Sequence, residues 1–392
     1  MSKKEFERKT KGDKPVLAIC YDFDKTLSPD DMQAQGYIQS VGYDVDGFWK
    51  ESNALAENND MDQNLAYMYK MVEESEGHFV LNKDKLAEYG SKVTLFPGVS
   101  EWFERIRAYG LERDVIVEHY IISSGLKEMI EGTEIAQKGA FEKIYASSFY
   151  FNERGVAKWP AQVVNYTNKT QFLFRIEKGV LDINDQGVND YFAPEELRVP
   201  FRNMIYIGDS DTDVPCMKLV NSYGGHSIGV YNAETQDKAK VYKMMRDSRI
   251  KYFAPADYSE EAPLDILVKK IIDRTASNEA LEAIFYDCKR ENTEADKQSN
   301  EQELEKTDLL LALEGSCSFS RTHTIVGKLQ KFNNWTSEEK DALFQIALNN
   351  GQVLYILGDI DVKAFYTKLL RSTKTLSENA KKVKEAIENA DK

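Results

Sequence analysis

The run Val16-Leu17-Ala18-Ile19-Cys20-Tyr21, followed at once by Asp22-Phe23-Asp24, constrains the fold more than any other stretch of the chain. Six apolar residues in succession predict a strand buried on both faces, as in a parallel sheet. The strand runs into two carboxylates spaced i, i+2, which an extended backbone would point to the same side. Two carboxylates held together repel unless a cation or a shared proton offsets the charge. Mg²⁺, which takes carboxylate and phosphate oxygens, suits such a pair. A buried strand ending in a polar turn has the same local pattern, so the remaining chain must decide.

Two further apolar runs end in chemistry-bearing residues. Val115-Ile116-Val117 and His119-Tyr120-Ile121-Ile122 lead into Ser123-Ser124-Gly125, and Met204-Ile205-Tyr206-Ile207 leads into Gly208-Asp209-Ser210-Asp211-Thr212-Asp213. Helical faces lie between them. Val99, Trp102, Phe103 and Ile106 share one face; a helix follows Gly125; another runs to Lys178 with Thr167 or Asn168 as its cap. Residues 141–151 read as a strand pair with Asn152-Glu153-Arg154-Gly155 as turn, and 182–202 as polar loop. Residues 227–230 and 252–254 add short strands, and 264–272 a closing helix. The alternation predicts an α/β fold, a three-layer Rossmann-like and mainly parallel sheet, with ligands beyond the strand C-termini. Between the first strand and Leu95-Phe96-Pro97-Gly98 the pattern is helical throughout (Leu65, Met68, Tyr69 and Val72 make one stripe), so residues 28–95 read as an inserted α-helical segment.

The remaining segments bound the function without specifying it. Residues 1–14 are basic, polar and expected to be disordered. Residues 289–307 hold only Ala295 and Leu304 as apolar residues and read as a solvated linker or exposed helix extension. Residues 308–392 predict a small α-rich C-terminal module, with helices near 337–348 and 361–370 and a short strand over 352–357. The net charge of −14 argues against nonspecific affinity for nucleic acid or anionic membrane. No apolar run reaches membrane-spanning length and no secretion signal precedes the first strand. Cys20, Cys216, Cys288 and Cys317 are scattered, which suggests neither zinc nor a disulfide framework. The expected location is the cytoplasm.

Four short motifs, in order, carry a resemblance. Asp22-Phe23-Asp24-Lys25-Thr26 resembles the first motif of the haloacid dehalogenase-like (HAD) superfamily. Ile122-Ser123 resembles the second, Lys169 at a helix start the third, and Gly208-Asp209-x-x-x-Asp213 the fourth. The likeness spans residues 15–275, and the position of the helical insert is similar to the cap of phosphoserine-phosphatase-like members. It implies a Mg²⁺-dependent phosphatase acting on a small phosphorylated metabolite. Asp22 would be the nucleophile and Asp24 the general acid and base. Ser123 would bind a phosphate oxygen, with Ser124 and Gly125 beside it, and Lys169 would offset negative charge. Asp22, the main-chain carbonyl of Asp24, Asp209 and Asp213 would hold the metal, Asp213 through water or by orienting Lys169. Lys158 and Lys178 are alternatives to Lys169, and Asp211 reads as a turn cap. Two other functions stay open: phosphotransfer through the same aspartyl-phosphate, or a non-catalytic binding protein acting on a protein partner through residues 308–392.

Overall fold

The computed structural model describes residues 6–296, 301–373 and 375–390. The chain divides into two compact units. One comprises Met1–Asn189 and Leu197–Ala280, the other Asp190–Glu196 and Leu281–Lys392.

The first unit is built on a seven-stranded sheet: β1 (Val16–Tyr21), β2 (Ile116–Leu126), β3 (Lys143–Phe151), β4 (Ala157–Gln162), β5 (Met204–Gly208), β6 (His226–Tyr231) and β7 (Tyr252–Pro255). Their spatial order is β4-β3-β2-β1-β5-β6-β7, so β1 is central with β2 and β5 at its sides. All neighbours are parallel except the β3–β4 pair. This is the mainly parallel α/β architecture read from the sequence. The side chains of β1 alternate cleanly between two cores. Leu17, Ile19 and Tyr21 pack with Trp102, Ile106, Leu264 and Val268, whereas Val16, Ala18 and Cys20 pack with Phe172, Ile176, Met217 and Val220. Helices therefore cover both faces of the sheet, which is why its central strand is apolar at every position. Chain reversal on either side of β1 places the ends of β1, β2 and β5 around one crevice.

Between β1 and the helix Val99–Leu111 lie helices Tyr37–Ser40, Val45–Asn58, Gln63–Ser75 and Lys83–Gly90. The last of these packs backbone-close against helix Lys127–Gly132. A Cβ on Gly90 would stand 1.8 Å from the Met129 carbonyl oxygen, and one on Gly132 2.2 Å from that of Ala87.

Several local expectations are corrected. Residues 143–151 form one strand, not a pair; the turn at 152–155 joins it to β4. The helix Lys169–Lys178 receives no side-chain cap from Asn168. Instead Asn165 Oδ1 accepts from the Thr167 and Asn168 N–H groups in an Asx-type turn, and Asn168 Oδ1 accepts from Asn165 N–H. The N-terminus, expected to be disordered, is tied down from Phe6 on; residues 1–5 lie outside the described residues. Lys9 N–H donates to Gly179 O at 2.9 Å, its ammonium pairs with Glu118 and Glu142, and Arg8 donates to both carboxylate oxygens of Asp185. Complementary charge on distant segments supplies the anchors that a basic tail lacks by itself.

The second unit is helical, with Glu301–Glu314, Phe319–Leu329, Ser337–Asn349, Gly351–Tyr355, Ile360–Arg371 and Glu378–Asn389 around a core that includes Leu313, Leu343, Phe365 and Val383. The short strand expected over 352–357 is a helical turn, started by Asn350, whose Oδ1 accepts from the Gln352 and Val353 N–H groups. The expected linker is helical at both ends: Pro263–Asp296 runs through its start and Glu301–Glu314 through its finish, with 297–300 outside the described residues. Among the described residues no helix is long and apolar enough to cross a membrane.

Candidate active site

The C-terminal ends of β1, β2 and β5 open on a cavity of about 570 Å³, lined among others by Asp22, Asp24, Ser123, Ser124, Gly125 and Asp209. Asp22 follows β1 directly, its N–H still donating to Ile207 O of β5 at 3.0 Å. Helix Lys169–Lys178 packs Phe172 and Ile176 on the sheet, and this brings its first residue to the same place. The Lys169 ammonium, fully buried, donates to Asp213 Oδ1 at 2.7 Å and lies 3.3 Å from Asp22 Oδ2. The two other lysines lie elsewhere. Lys158 is exposed, and Lys178 donates to Val188 O.

The Asp213 carboxylate accepts four hydrogen bonds. Oδ1 accepts from Lys169 and from the Tyr206 hydroxyl at 2.9 Å, and Oδ2 from the N–H and Oγ of Ser210. Gly208 leaves room for it, since a Cβ there would stand 2.5 Å from Asp213 Oδ2. Ligand atoms of Asp22, Asp209 and Asp213 lie within 4.8 Å of one another. Asp211, by contrast, turns outward to Arg249.

The electrostatics of this floor are strained. Burial pushes the Asp22 carboxyl up to about 7, against the pull of Lys169 and with the help of Asp213 and Asp209. Burial likewise raises Asp209, opposed by Lys240, whose ammonium lies 3.0 Å from Asp209 Oδ2. Lys169 loses solvation on burial, yet Asp213 and Asp22 outweigh this and hold its pKa above the ordinary value.

Asp24 stands apart from that cluster. Its Oδ1 accepts from Met32 N–H at 2.9 Å, and burial, Asp31 and Asp22 hold its carboxyl well above the usual range. A Cβ at position 125 would stand 2.9 Å from Asp24 Oδ2, so Gly125 is what admits this side chain to the cavity wall. Three acidic side chains, Asp22, Asp209 and Asp213, thus converge, while that of Asp24, expected as general acid and base and as a metal ligand only through its main-chain carbonyl, lies outside the set. Ser123 Oγ accepts from Gly125 N–H at 3.1 Å, leaving its own hydrogen to donate. Ser124 contributes its carbonyl, which accepts from Tyr67 of the helical insert at 2.7 Å and from Ser147 at 3.1 Å.

The chain resembles HAD-type hydrolases in structure. It is similar to a HAD family hydrolase of Salmonella enterica serovar Typhi, at 17% identity over 67% of this chain and 73% of that one, with a TM-score of 0.45. It is similar also to a probable phosphoserine phosphatase of Vibrio cholerae, at 13% identity over 68% and 67% of the chains and a TM-score of 0.44. In sequence it is 27% identical to an uncharacterized protein of Borreliella burgdorferi over 275 residues, 64% of this chain and 94% of that protein. No family model matches the chain.

Sequence reasoning missed four contributors. Ser210 was legible, because Ser-x-x-Asp is a capping-box pattern and Ser210 with Asp213 forms one. Tyr206 lies on β5 among apolar neighbours and offers no signal of its own. Lys240 and Tyr67 come from distant helices, and nothing local marks them.

Proposed function

We propose that the chain is a HAD-like, Mg²⁺-dependent phosphatase that hydrolyses a small phosphomonoester through an aspartyl-phosphate on Asp22. The observation that carries this reading is the convergence of Asp22, Asp209 and Asp213 within 4.8 Å, with Lys169 between Asp22 and Asp213. Three carboxylates share the buried Lys169 ammonium and the Lys240 ammonium paired with Asp209, and burial, reinforced by Asp213 and Asp209, raises Asp22 to about 7. A hard divalent cation fits that oxygen-only donor set. Asp22, Asp209 and Asp213 would hold Mg²⁺, which would screen the charge of phosphate and nucleophile.

The protein's own groups then divide the work. Asp22 Oδ2, facing the cavity beside Lys169, attacks phosphorus and takes the phosphoryl group, so the P–O bond to the alcohol breaks as the Asp22–phosphorus bond forms. Asp24, whose carboxyl is held well above the ordinary range by burial, Asp31 and Asp22, gives its proton to the departing alcohol oxygen. Its carboxylate then takes a proton from the water that cleaves the acyl phosphate, returning both acids to their starting states. The Ser123 hydroxyl and the Lys169 ammonium donate to phosphate oxygens. Asp213, which accepts four hydrogen bonds from Lys169, Tyr206 and Ser210 beside the metal position, also orients the lysine.

Hydrolysis of 4-nitrophenyl phosphate with and without Mg²⁺ tests the reading. We expect metal-dependent turnover that Asp22→Asn lowers by at least about a thousandfold, roughly 4 kcal/mol of transition-state stabilisation. Equal turnover by both proteins would place the nucleophile elsewhere.

A further inference from the structure

Resting on the phosphatase reading above, we propose that the alcohol released from the ester carries a positive charge: the substrate is the phosphate monoester of an amino alcohol, and Asp62 selects it. The cavity wall contributed by the insert begins at Met61, Asp62, Gln63 and Asn64, and Asn165 and Tyr166 adjoin it. Asp62 is held rigidly. Its Oδ1 accepts from the Asn64 and Leu65 N–H groups and its Oδ2 from Asn165 Nδ2 at 2.8 Å. All of these partners are neutral amides, and among the described residues no ammonium or guanidinium pairs with Asp62.

The cations that line the cavity are already engaged. Lys25 pairs with Asp31 at 2.9 Å and Lys240 with Asp209 at 3.0 Å, both beside the reacting centre, and no arginine lines the cavity among the described residues. The first N–H groups of helix Gln63–Ser75 could have received an anion, but the Asp62 side chain fills that position. A carboxylate or second phosphate on the leaving group would therefore meet the Asp62 carboxylate and find only neutral donors, such as the Gln63 amide and the Ser124 and Tyr166 hydroxyls, in place of a cation. An ammonium group would find Asp62, the amide oxygen of Gln63 nearby, and the exposed ring of Tyr166 as a π face. It would also lower the net negative charge that the phosphate dianion brings into an acidic cavity.

The test compares kcat/KM for three esters of nearly equal size: 2-aminoethyl phosphate, 2-hydroxyethyl phosphate and phosphoglycolate, with 4-nitrophenyl phosphate as a measure of the chemistry itself. We expect 2-aminoethyl phosphate to exceed phosphoglycolate by at least about tenfold. Asp62→Asn, which keeps a good helix cap, should cut that ratio about tenfold, and Asp62→Lys should reverse it; thermal melts establish that both variants fold. Turnover of 4-nitrophenyl phosphate without preference among the three, or a preference unchanged in both folded variants, would overturn the proposal and leave the phosphatase reading standing. No metal-dependent turnover of any ester would overturn both.

Discussion

The floor of the cavity and the helical insert beside it are held by different physics. The floor is made by strand ends: Asp22 and Asp209 follow β1 and β5, and Ser123 lies near the end of β2, with backbones fixed by the parallel ladder. Its charges are buried and mutually dependent, so removing one leaves another without a partner. The insert reaches the same cavity through hydrogen bonds without ion pairs (Tyr67 to Ser124 O, Asn64 to Val164 O, Asn165 to the Asp62 carboxylate) and is seated at its far end by the glycine-lined contact of helix Lys83–Gly90 on helix Lys127–Gly132. The contrast sets buried, interdependent charges at the floor against hydrogen bonds without ion pairs at the insert.

The comparison can be broken at four points, from the floor outward. Lys169→Met would leave Asp22 and Asp213 facing each other without a cation. We expect a loss of about 3–5 kcal/mol in chemical denaturation, together with loss of turnover. A loss below about 1 kcal/mol would mean that the floor is not interdependent.

Glu128, at the start of the helix that seats the insert, is pushed up to about 7 by burial, with Oε2 lacking a partner among the described residues. Its folded pKa lies above the unfolded one. The native state therefore keeps a proton that the unfolded chain releases, and stability should fall as pH rises from about 4.5 to 7. Glu128→Gln should flatten that slope, removing up to about 3 kcal/mol of change across the window. An unchanged pH profile of unfolding would show that the carboxyl ionises freely.

Gly132→Ala forces a methyl to within 2.2 Å of Ala87 O. We expect about 1–3 kcal/mol of destabilisation and earlier proteolysis within residues 28–95 than at the sheet. Equal protection of both regions would remove the distinction drawn between them. Smallest of all, Tyr67→Phe deletes one neutral hydrogen bond to Ser124 O and should cost about 1 kcal/mol, read as a raised KM with kcat nearly kept. A collapse of kcat would make Tyr67 part of the floor.

Much of the fold and the floor was legible because both rest on short-range pattern. The apolar run into Asp22-Phe23-Asp24, and the parallel cases at Ser123 and Asp209, announce strands that end in chemistry, and the central position of β1 follows from its burial on both faces. Misreadings fell where local pattern is ambiguous. Residues 352–357 are apolar enough for a strand, yet Asn350 starts a helical turn there, and the basic N-terminus is ordered by acids far along the chain.

The sequence by itself determined the order of strands and helices and the identity of the carboxylates, since side-chain periodicity and strand-end residues are properties of neighbours in the chain. Only the tertiary structure decided that Lys169 and not Lys158 or Lys178 enters the floor, that Tyr206 and Lys240 join it, and that Asp62 faces the cavity without a cation partner among the described residues. Those outcomes depend on which helix packs over which strand, and on the Coulomb and desolvation energies of groups brought together from remote positions, quantities that no local stretch encodes.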